Sequence, residues 1–314
     1  MDNLTHSLVG ALIGQAGLKK KTGLAMPALI IGANLPDVDA ACFFWLEGVE
    51  HLGFRRGITH GPPALVLLPL ILAGLLCGFD RWQASRGKRP EDRLPVSFKW
   101  LFLLSFIGCL THPALDWLNV YGIRLLEPFS SQWFYGDTLF IIDIWLWLGM
   151  GFATWFSLRR EKRGGEWKQP ARIALSLAGI YIALQGFITG NAERSVTGSP
   201  TGTEIVIASP PPLWSWRRDM ITGGNGLYTL GEGTTFPGVP LDRCDLERAR
   251  AADSEIDAFL FWARTPYIVP EEDGTLWLRD ARFSDPRATG RFEVRLPSDI
   301  CVGVKTEPSG GNGG

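Results

Sequence analysis

The sequence predicts an α-helical polytopic membrane domain of about six embedded helices, followed by a small β-rich extracytoplasmic domain. Three observations carry this. Uncharged runs occupy residues 3–18, 22–36, 57–79, 100–115, 144–158 and 173–192. Basic residues gather in every second connection between those runs. Past residue 190 the pattern changes to short β-prone stretches between turn-formers. The expected division is 1–190 for the membrane domain, 191–308 for the β-rich domain and 309–314 for a low-complexity, disordered tail. Whole-chain averages hide it: net charge is −1, but the first 190 residues hold 18 Lys+Arg against 14 Asp+Glu, and the rest hold 13 against 18.

Taken in order, the runs differ in length. A spanning helix needs about 20 mostly apolar residues. Residues 62–79, 98–118, 138–158 and 172–189 meet that requirement. Residues 4–18 are short, and 24–45 are long but interrupted by Pro36-Asp37-Val38-Asp39. The first run is expected to be retained rather than cleaved, because no basic region precedes it and Lys19-Lys20-Lys21 follow it. Several runs are apolar on every face, which argues against a soluble bundle.

Charge gives an orientation. Lys19–Lys21, then Arg81, Arg86, Lys88, Arg89 and Arg93, then Arg159, Arg160, Lys162, Arg163 and Lys168 lie on alternate connections. Positive loops stay cytoplasmic. The N-terminus, the 46–61 and 119–137 loops and everything past residue 190 then fall on the other side. Trp45, Trp82, Trp100, Trp117, Trp133 and Trp167 sit near expected helix ends, as interfacial Trp does.

In the tail, strands are expected at 204–208, 227–230, 259–263, 267–269, 275–279, 291–296 and 301–305, and one helix at 245–258. A Cys244–Cys301 disulfide is compatible with an extracytoplasmic tail, but spacing alone does not fix it. The near-neutral balance, with pI about 6.4, gives no basic surplus for nucleic acid. The five Cys form no CxxC pair, and HExxH, GxSxG and P-loop motifs are missing from the sequence.

Ionisable residues inside membrane segments are costly and by default point to function. Here they are Asp37, Asp39, Asp116 and Asp143, joined by His6, His60 and His112. Singly, each has an ordinary reading as a cap, a helix break or a hydrogen bond to a neighbouring helix. Together, the orientation places all of them on one side, which points to a metal or proton site. His51 matches no such constellation and reads as a loop residue. His112 and Asp116 are i,i+4, on one helix face and within reach of one ion. Asp37 and Asp39 are i,i+2 beside Pro36: either both bind metal in unwound backbone, or one binds and the other orients a ligand or water. Imidazole with carboxylate suits Zn²⁺ or Mn²⁺, and an open position would activate water. Arg56, four residues before His60, would neutralise an anionic substrate or a developing oxyanion.

These residues lie in ordered motifs: His6-Ser7-Leu8, Pro36-Asp37-Val38-Asp39, Arg56-Gly57-Ile58-Thr59-His60, and His112-Pro113-Ala114-Leu115-Asp116-Trp117-Leu118-Asn119-Val120-Tyr121-Gly122. Pro128-Phe129, Trp133-Phe134-Tyr135-Gly136-Asp137 and Phe140-Ile141-Ile142-Asp143 continue them. The set resembles the YdjM/YbcI-type bacterial inner-membrane metal-dependent hydrolases, a family distantly similar to zinc-dependent phospholipase C and S1/P1-type nucleases. The resemblance covers roughly residues 1–160. It implies a site of more than one divalent ion, with His6, Asp37, Asp39, His60, His112 and Asp116 as ligands, and phosphoester chemistry on a lipid-type substrate. It also implies Asp39 or Asp143 as proton acceptor, and Arg56, Tyr121, Tyr135 and Asp137 as substrate contacts. The chain departs from the family pattern at Arg55, where His is usual, and at Gly61, where Ser is usual.

Two other classes share these features. A proton- or ion-coupled transporter would place the site near the midplane with an internal repeat, and no repeat is present in the sequence. A non-catalytic membrane scaffold with a partner-binding tail would tolerate alanine at every candidate ligand.

Overall fold

A computed structural model describes residues 1–196, 205–231, 234–236, 238–284 and 290–302. The membrane half is helical: α1 Asn3–Gln15, α2 Ala25–Asn34, α3 His51–Phe54, α4 Pro62–Ser85, α5 Phe98–Trp117, α6 Ile144–Lys162 and α7 Lys168–Val196. At Leu35, just before Pro36, α2 tightens into a 3₁₀ stretch, Leu35–Phe44. Among the described residues, four helical stretches are long and apolar enough to cross a membrane: Ala25–Phe44, Pro62–Ser85, Phe98–Trp117 and Lys168–Val196. The first and fifth expected segments are shorter or more charged. The α1 helix has 13 residues, and α6 ends on Arg159, Arg160 and Lys162.

The fifth segment starts later than the apolar run predicts. Asp143 accepts the amides of Trp145 and Leu146 and so caps α6. The Thr138 and Leu139 amides instead donate to the Leu118 carbonyl, which keeps 138–143 out of the helix. On α4 and α7 the large apolar side chains point outward, among them Leu67, Ile71, Leu75, Leu177, Leu184 and Phe187. Hydrocarbon is the solvent that accepts such a surface.

Three glycines set the packing. A Cβ at Gly10 of α1 would come within 2.7 Å of the Leu29 carbonyl oxygen on α2. Gly32 of α2 meets the Ser105 carbonyl at 2.6 Å, and Gly108 of α5 meets that of Leu29 at 2.6 Å. Backbone therefore lies on backbone, and α2 is held between α1 and α5 as small residues allow in membranes. One apolar core joins α1, α5, α6 and α7 through Leu12, Leu115, Met150 and Ala171, and a second joins α2, α4 and α5 through Leu29, Ala73 and Leu104.

The chain divides into two compact units, and the division is not a single cut near 190. The first unit holds Met1–Asp39, Arg56–Ile188 and Pro210–Arg217. The second holds Ala40–Arg55, Thr189–Ser209 and the described residues from Arg218 onward. Within the second unit, α3 packs against α9 (Ser254–Trp262), with Glu255 accepting the Val49 amide at 3.0 Å and Gly53 lying against Ala258. In the first unit, the Trp145 indole donates to the Leu213 carbonyl at 2.9 Å.

Among the described residues, the strand-rich region contains two antiparallel sheets. β1 Ile205–Ser209, β2 Asp219–Gly224, β3 Leu227–Leu230 and β4 Thr234–Thr235 pair in sequence order. β5 Pro266–Pro270, β6 Leu276–Asp280 and β7 Glu293–Leu296 do the same. The β2–β3 hairpin turns on Asn225 and Gly226, both at positive φ. Three expectations change. Residues 259–263 are not a strand but the end of α9, whose Ile256, Phe259 and Trp262 are buried at helical spacing. The single helix at 245–258 is two, α8 Leu246–Ala252 and α9, divided at Asp253, which is extended and caps α9. Strands β2 and β4 are not among those expected. Cys244 and Cys301 form a disulfide. The expected tail at 309–314 lies outside the described residues, as do residues 303–305 of the last expected strand.

Candidate metal centre

Four segments of the membrane unit bring their polar residues to one end, opposite the Lys19–Lys21 and 81–93 connections. His6 lies in the first turns of α1, Asp37 in the 3₁₀ stretch after α2, His60 in a turn before α4, and His112 and Asp116 in the last turns of α5. Asp37, His60, His112 and Asp116 each offer one ligand atom, all within 4.8 Å of one another. His112 Nε2 is 3.6 Å from Asp116 Oδ2 and 3.8 Å from Asp37 Oδ1, and His60 Nε2 is 3.7 Å from Asp116 Oδ2. Ligands about 2.1 Å from a tetrahedral ion stand about 3.4 Å apart, so these spacings need only a small contraction. The donor set suits a borderline divalent ion.

The imidazoles are oriented from behind. His112 Nδ1 donates to the Ala33 carbonyl at 2.7 Å, a bond that the close α2–α5 contact makes possible. A carbonyl only accepts, so the proton sits on Nδ1 and the Nε2 lone pair faces the carboxylates. His60 Nδ1 lies 3.0 Å from the Thr59 hydroxyl and 3.6 Å from Asp39 Oδ2. Buried His112 Nε2 has no hydrogen-bond partner among the described residues. That is costly for a polar atom unless it binds something else.

His6 and Asp39, expected as ligands, take adjoining positions. His6 stacks on His112 with ring centroids 3.8 Å apart, its Nε2 3.3 Å from Asp116 Oδ1. The Met1 α-amino group also contacts Asp116 Oδ1. Asp39 Oδ2 accepts the Arg56 amide at 2.8 Å and the Thr59 hydroxyl at 3.2 Å, so Asp39 stands behind His60 rather than in the four-residue cluster. Among the described residues there is one such four-residue cluster.

Arg56 is built into the centre. Its Nε lies 3.0 Å from Asp116 Oδ2, its Nη1 donates to Asn119 Oδ1 and the Gly122 carbonyl, and its guanidinium covers the Tyr121 ring at 4.5 Å. Its φ of 55° is held by its amide bond to Asp39 and by the Arg124 amide, which donates to its carbonyl. Strained backbone of this kind persists only where its surroundings over-determine it. Tyr121 thus supports Arg56. Tyr135 lies half-buried across Gly122, where an added Cβ would come within 2.3 Å of its ring. Asp137 is buried, with φ 47°.

Asp143 is not brought into the cluster. Besides capping α6 it accepts the Tyr181 hydroxyl at 2.9 Å, so its bonds tie α6 to α7. The Arg55 guanidinium lies 5.6 Å from the Phe43 ring, and Gly61 packs so tightly on the Glu127 carbonyl that a Cβ would come within 1.8 Å of it. The departure at 55 therefore leaves the four-residue cluster intact. The sequence reading missed Asn119, Thr59 and the Ala33 carbonyl. The first two lie in the quoted motifs; a backbone carbonyl leaves no sequence signal.

A helical membrane unit with a buried histidine–aspartate cluster at one end defines the class: a membrane protein with a candidate metal centre. The chain belongs to the YdjM inner membrane protein family, whose model matches residues 1–192, a span that contains every motif residue named above. It is also 26% identical over 330 residues to "Uncharacterized protein YfhP" of Bacillus subtilis (strain 168), covering 96% of this chain and 91% of that protein. No solved structure matches.

Proposed function

We propose that this chain is a membrane-bound metal-dependent hydrolase that cleaves a phosphoester of a lipid-type substrate. The observation that carries the reading is the pair of imidazoles whose Nδ1 atoms are engaged from behind while both Nε2 atoms face Asp116. When bound, a divalent ion of the zinc or manganese type supplies Lewis acidity toward a phosphoryl oxygen and acidifies water. Asp37, His60, His112 and Asp116 would hold it. Arg56 orients the Asp116 carboxylate and places positive charge beside it for an anionic substrate. Asp39 fixes Thr59 and the Arg56 backbone, and Tyr135 is the candidate phosphate contact.

The proposed path has six membrane segments, with the centre and the strand-rich unit outside the cytoplasm. What supports it is the meeting of the basic connections on one face of the membrane unit. Lys19 pairs with Glu161, the Lys20 ammonium lies 5.4 Å from the Trp167 ring, and the Thr22 hydroxyl donates to Pro95. The Cys244–Cys301 disulfide suits an oxidising compartment, whereas Cys42, Cys77 and Cys109 take part in no disulfide.

The test is metal analysis of detergent-purified protein beside hydrolysis of a panel of lipid phosphates. Stoichiometric metal, and hydrolysis lost on chelation and in His112→Ala, support the reading. Metal-free protein, or hydrolysis indifferent to both treatments, overturns it.

A further inference from the structure

Away from the metal centre, α6 and α7 flank α1 and leave a groove of about 650 Å³ between them. Small residues hollow it: Gly149 and Ala153 from α6, Ala174 and Ala178 from α7. Aromatic and aliphatic side chains, including Phe152, Phe156 and Leu177, form the rest of an apolar wall. The groove runs from Trp145 to Arg160, which at 1.5 Å per residue is about 22 Å. One leaflet of hydrocarbon is about 15 Å deep, so an acyl chain fits along it.

The charged mouth narrows the choice of occupant. Arg160 lines the groove and makes no ion pair among the described residues; its guanidinium lies 5.7 Å from the Phe156 ring. Lys168 stands 5.7 Å from the Trp167 ring, and Arg172 donates to the Ala16 carbonyl at the same end. The two carboxylates nearby are engaged. Glu161 pairs with Lys19, and Glu166 accepts the Lys168 and Gln169 amides at the start of α7. Glu166 itself lines the groove and keeps its charge. By count the mouth is net positive, with Arg160, Lys168 and Arg172 against Glu166 and with Lys19 offset by Glu161, while the wall is apolar.

We propose that this groove binds an anionic glycerophospholipid, with one acyl chain along α6 and α7 and the headgroup phosphate at Arg160. Basic mouths between membrane helices recognise such headgroups. In the six-segment path this is the cytoplasmic leaflet, opposite the metal centre. Only that choice of leaflet rests on the path.

The test uses the full chain in dodecyl maltoside, with dioleoyl-phosphatidylglycerol or dioleoyl-phosphatidylcholine added and Tm read by intrinsic fluorescence. Phosphatidylglycerol at 100-fold excess over its Kd should raise Tm by about 5–10 °C, and phosphatidylcholine by much less. Arg160→Gln should remove the difference. Gly149→Phe fills the groove where an added Cβ meets nothing within 4 Å, so it should fold, keep its metal content and lose the shift. Glycerol phosphate without chains should have no effect. Equal shifts from both lipids, a full shift from glycerol phosphate alone, or an undiminished phosphatidylglycerol shift in Gly149→Phe would each overturn the proposal. A change of oligomeric mass in Gly149→Phe would overturn it too, by making the groove a contact between copies.

Discussion

Asp116 in the membrane unit and Asp280 in the strand-rich unit are each 1% exposed, yet their surroundings differ in kind. Asp280 is saturated with donors. Its Oδ1 accepts the Thr265 hydroxyl and the Arg282 amide and Nε, and its Oδ2 accepts the Arg264 and Thr265 amides and Arg282 Nη2. Burial alone would raise its carboxyl pKa, but the Arg282 guanidinium and these bonds hold it below the ordinary value. Asp116 also meets charged donors, the Met1 ammonium and Arg56 Nε, but its Oδ2 further faces two imidazole nitrogens at 3.6 and 3.7 Å, too far for hydrogen bonds and suited to sharing a cation. A carboxylate enclosed by donors is structural. One that also faces other lone pairs at ligand spacing is a candidate ligand.

The sharpest way to break this contrast is Asp116→Ala. It should abolish stoichiometric metal by elemental analysis and also destabilise the membrane unit by about 3–5 kcal/mol, because Arg56 is left buried without its carboxylate. Retained metal would put Asp116 in the same class as Asp280. The reciprocal change, Asp280→Asn, should cost the strand-rich unit about 3–5 kcal/mol in thermal unfolding while leaving metal content untouched. Metal loss there would dissolve the distinction between the two aspartates.

Smaller effects refine it. Asp39→Asn keeps a similar shape behind His60 and should weaken metal binding by about 10–100-fold in chelator competition. Acid addresses Asp280 directly. Its carboxyl is lowered on folding, so its stabilisation is complete above the ordinary value near 3.8 and is lost as pH falls through the folded value. Circular dichroism titrations of wild type and Asp280→Asn should therefore differ most above about pH 4 and draw together as pH falls from there toward the folded value. Smallest of all, Arg248→Ala removes an exposed pair with Asp299 and should leave Tm within about 1 °C.

The site was more legible in the sequence than the fold around it. His60, His112, Asp37 and Asp116 stand out because charge and imidazole are expensive in apolar segments. Their second rank was harder to read. Asp39 and Asp37 look alike in a Pro-Asp-Val-Asp run, and only the turn that carries Arg56 and Thr59 separates support from ligand. Asp143 shares the cost argument but spends its oxygens on the start of α6 and on Tyr181. In the strand-rich region, 259–263 is apolar enough for either state, and packing against β7 and α3 decides for helix. The excursion Ala40–Arg55 joining the second unit leaves no local pattern, since its partner α9 lies some 200 residues later.

The order of the candidate ligands along the chain has a consequence for biogenesis. Asp37, His60, His112 and Asp116, with their supports Ala33, Asp39, Arg56 and Asn119, are all synthesised before α6. Cys244 and Cys301, separated by 57 residues, come last. A chain synthesised as far as α6 thus already carries every candidate ligand and its supports, whereas the disulfide can close only once residue 301 has been made.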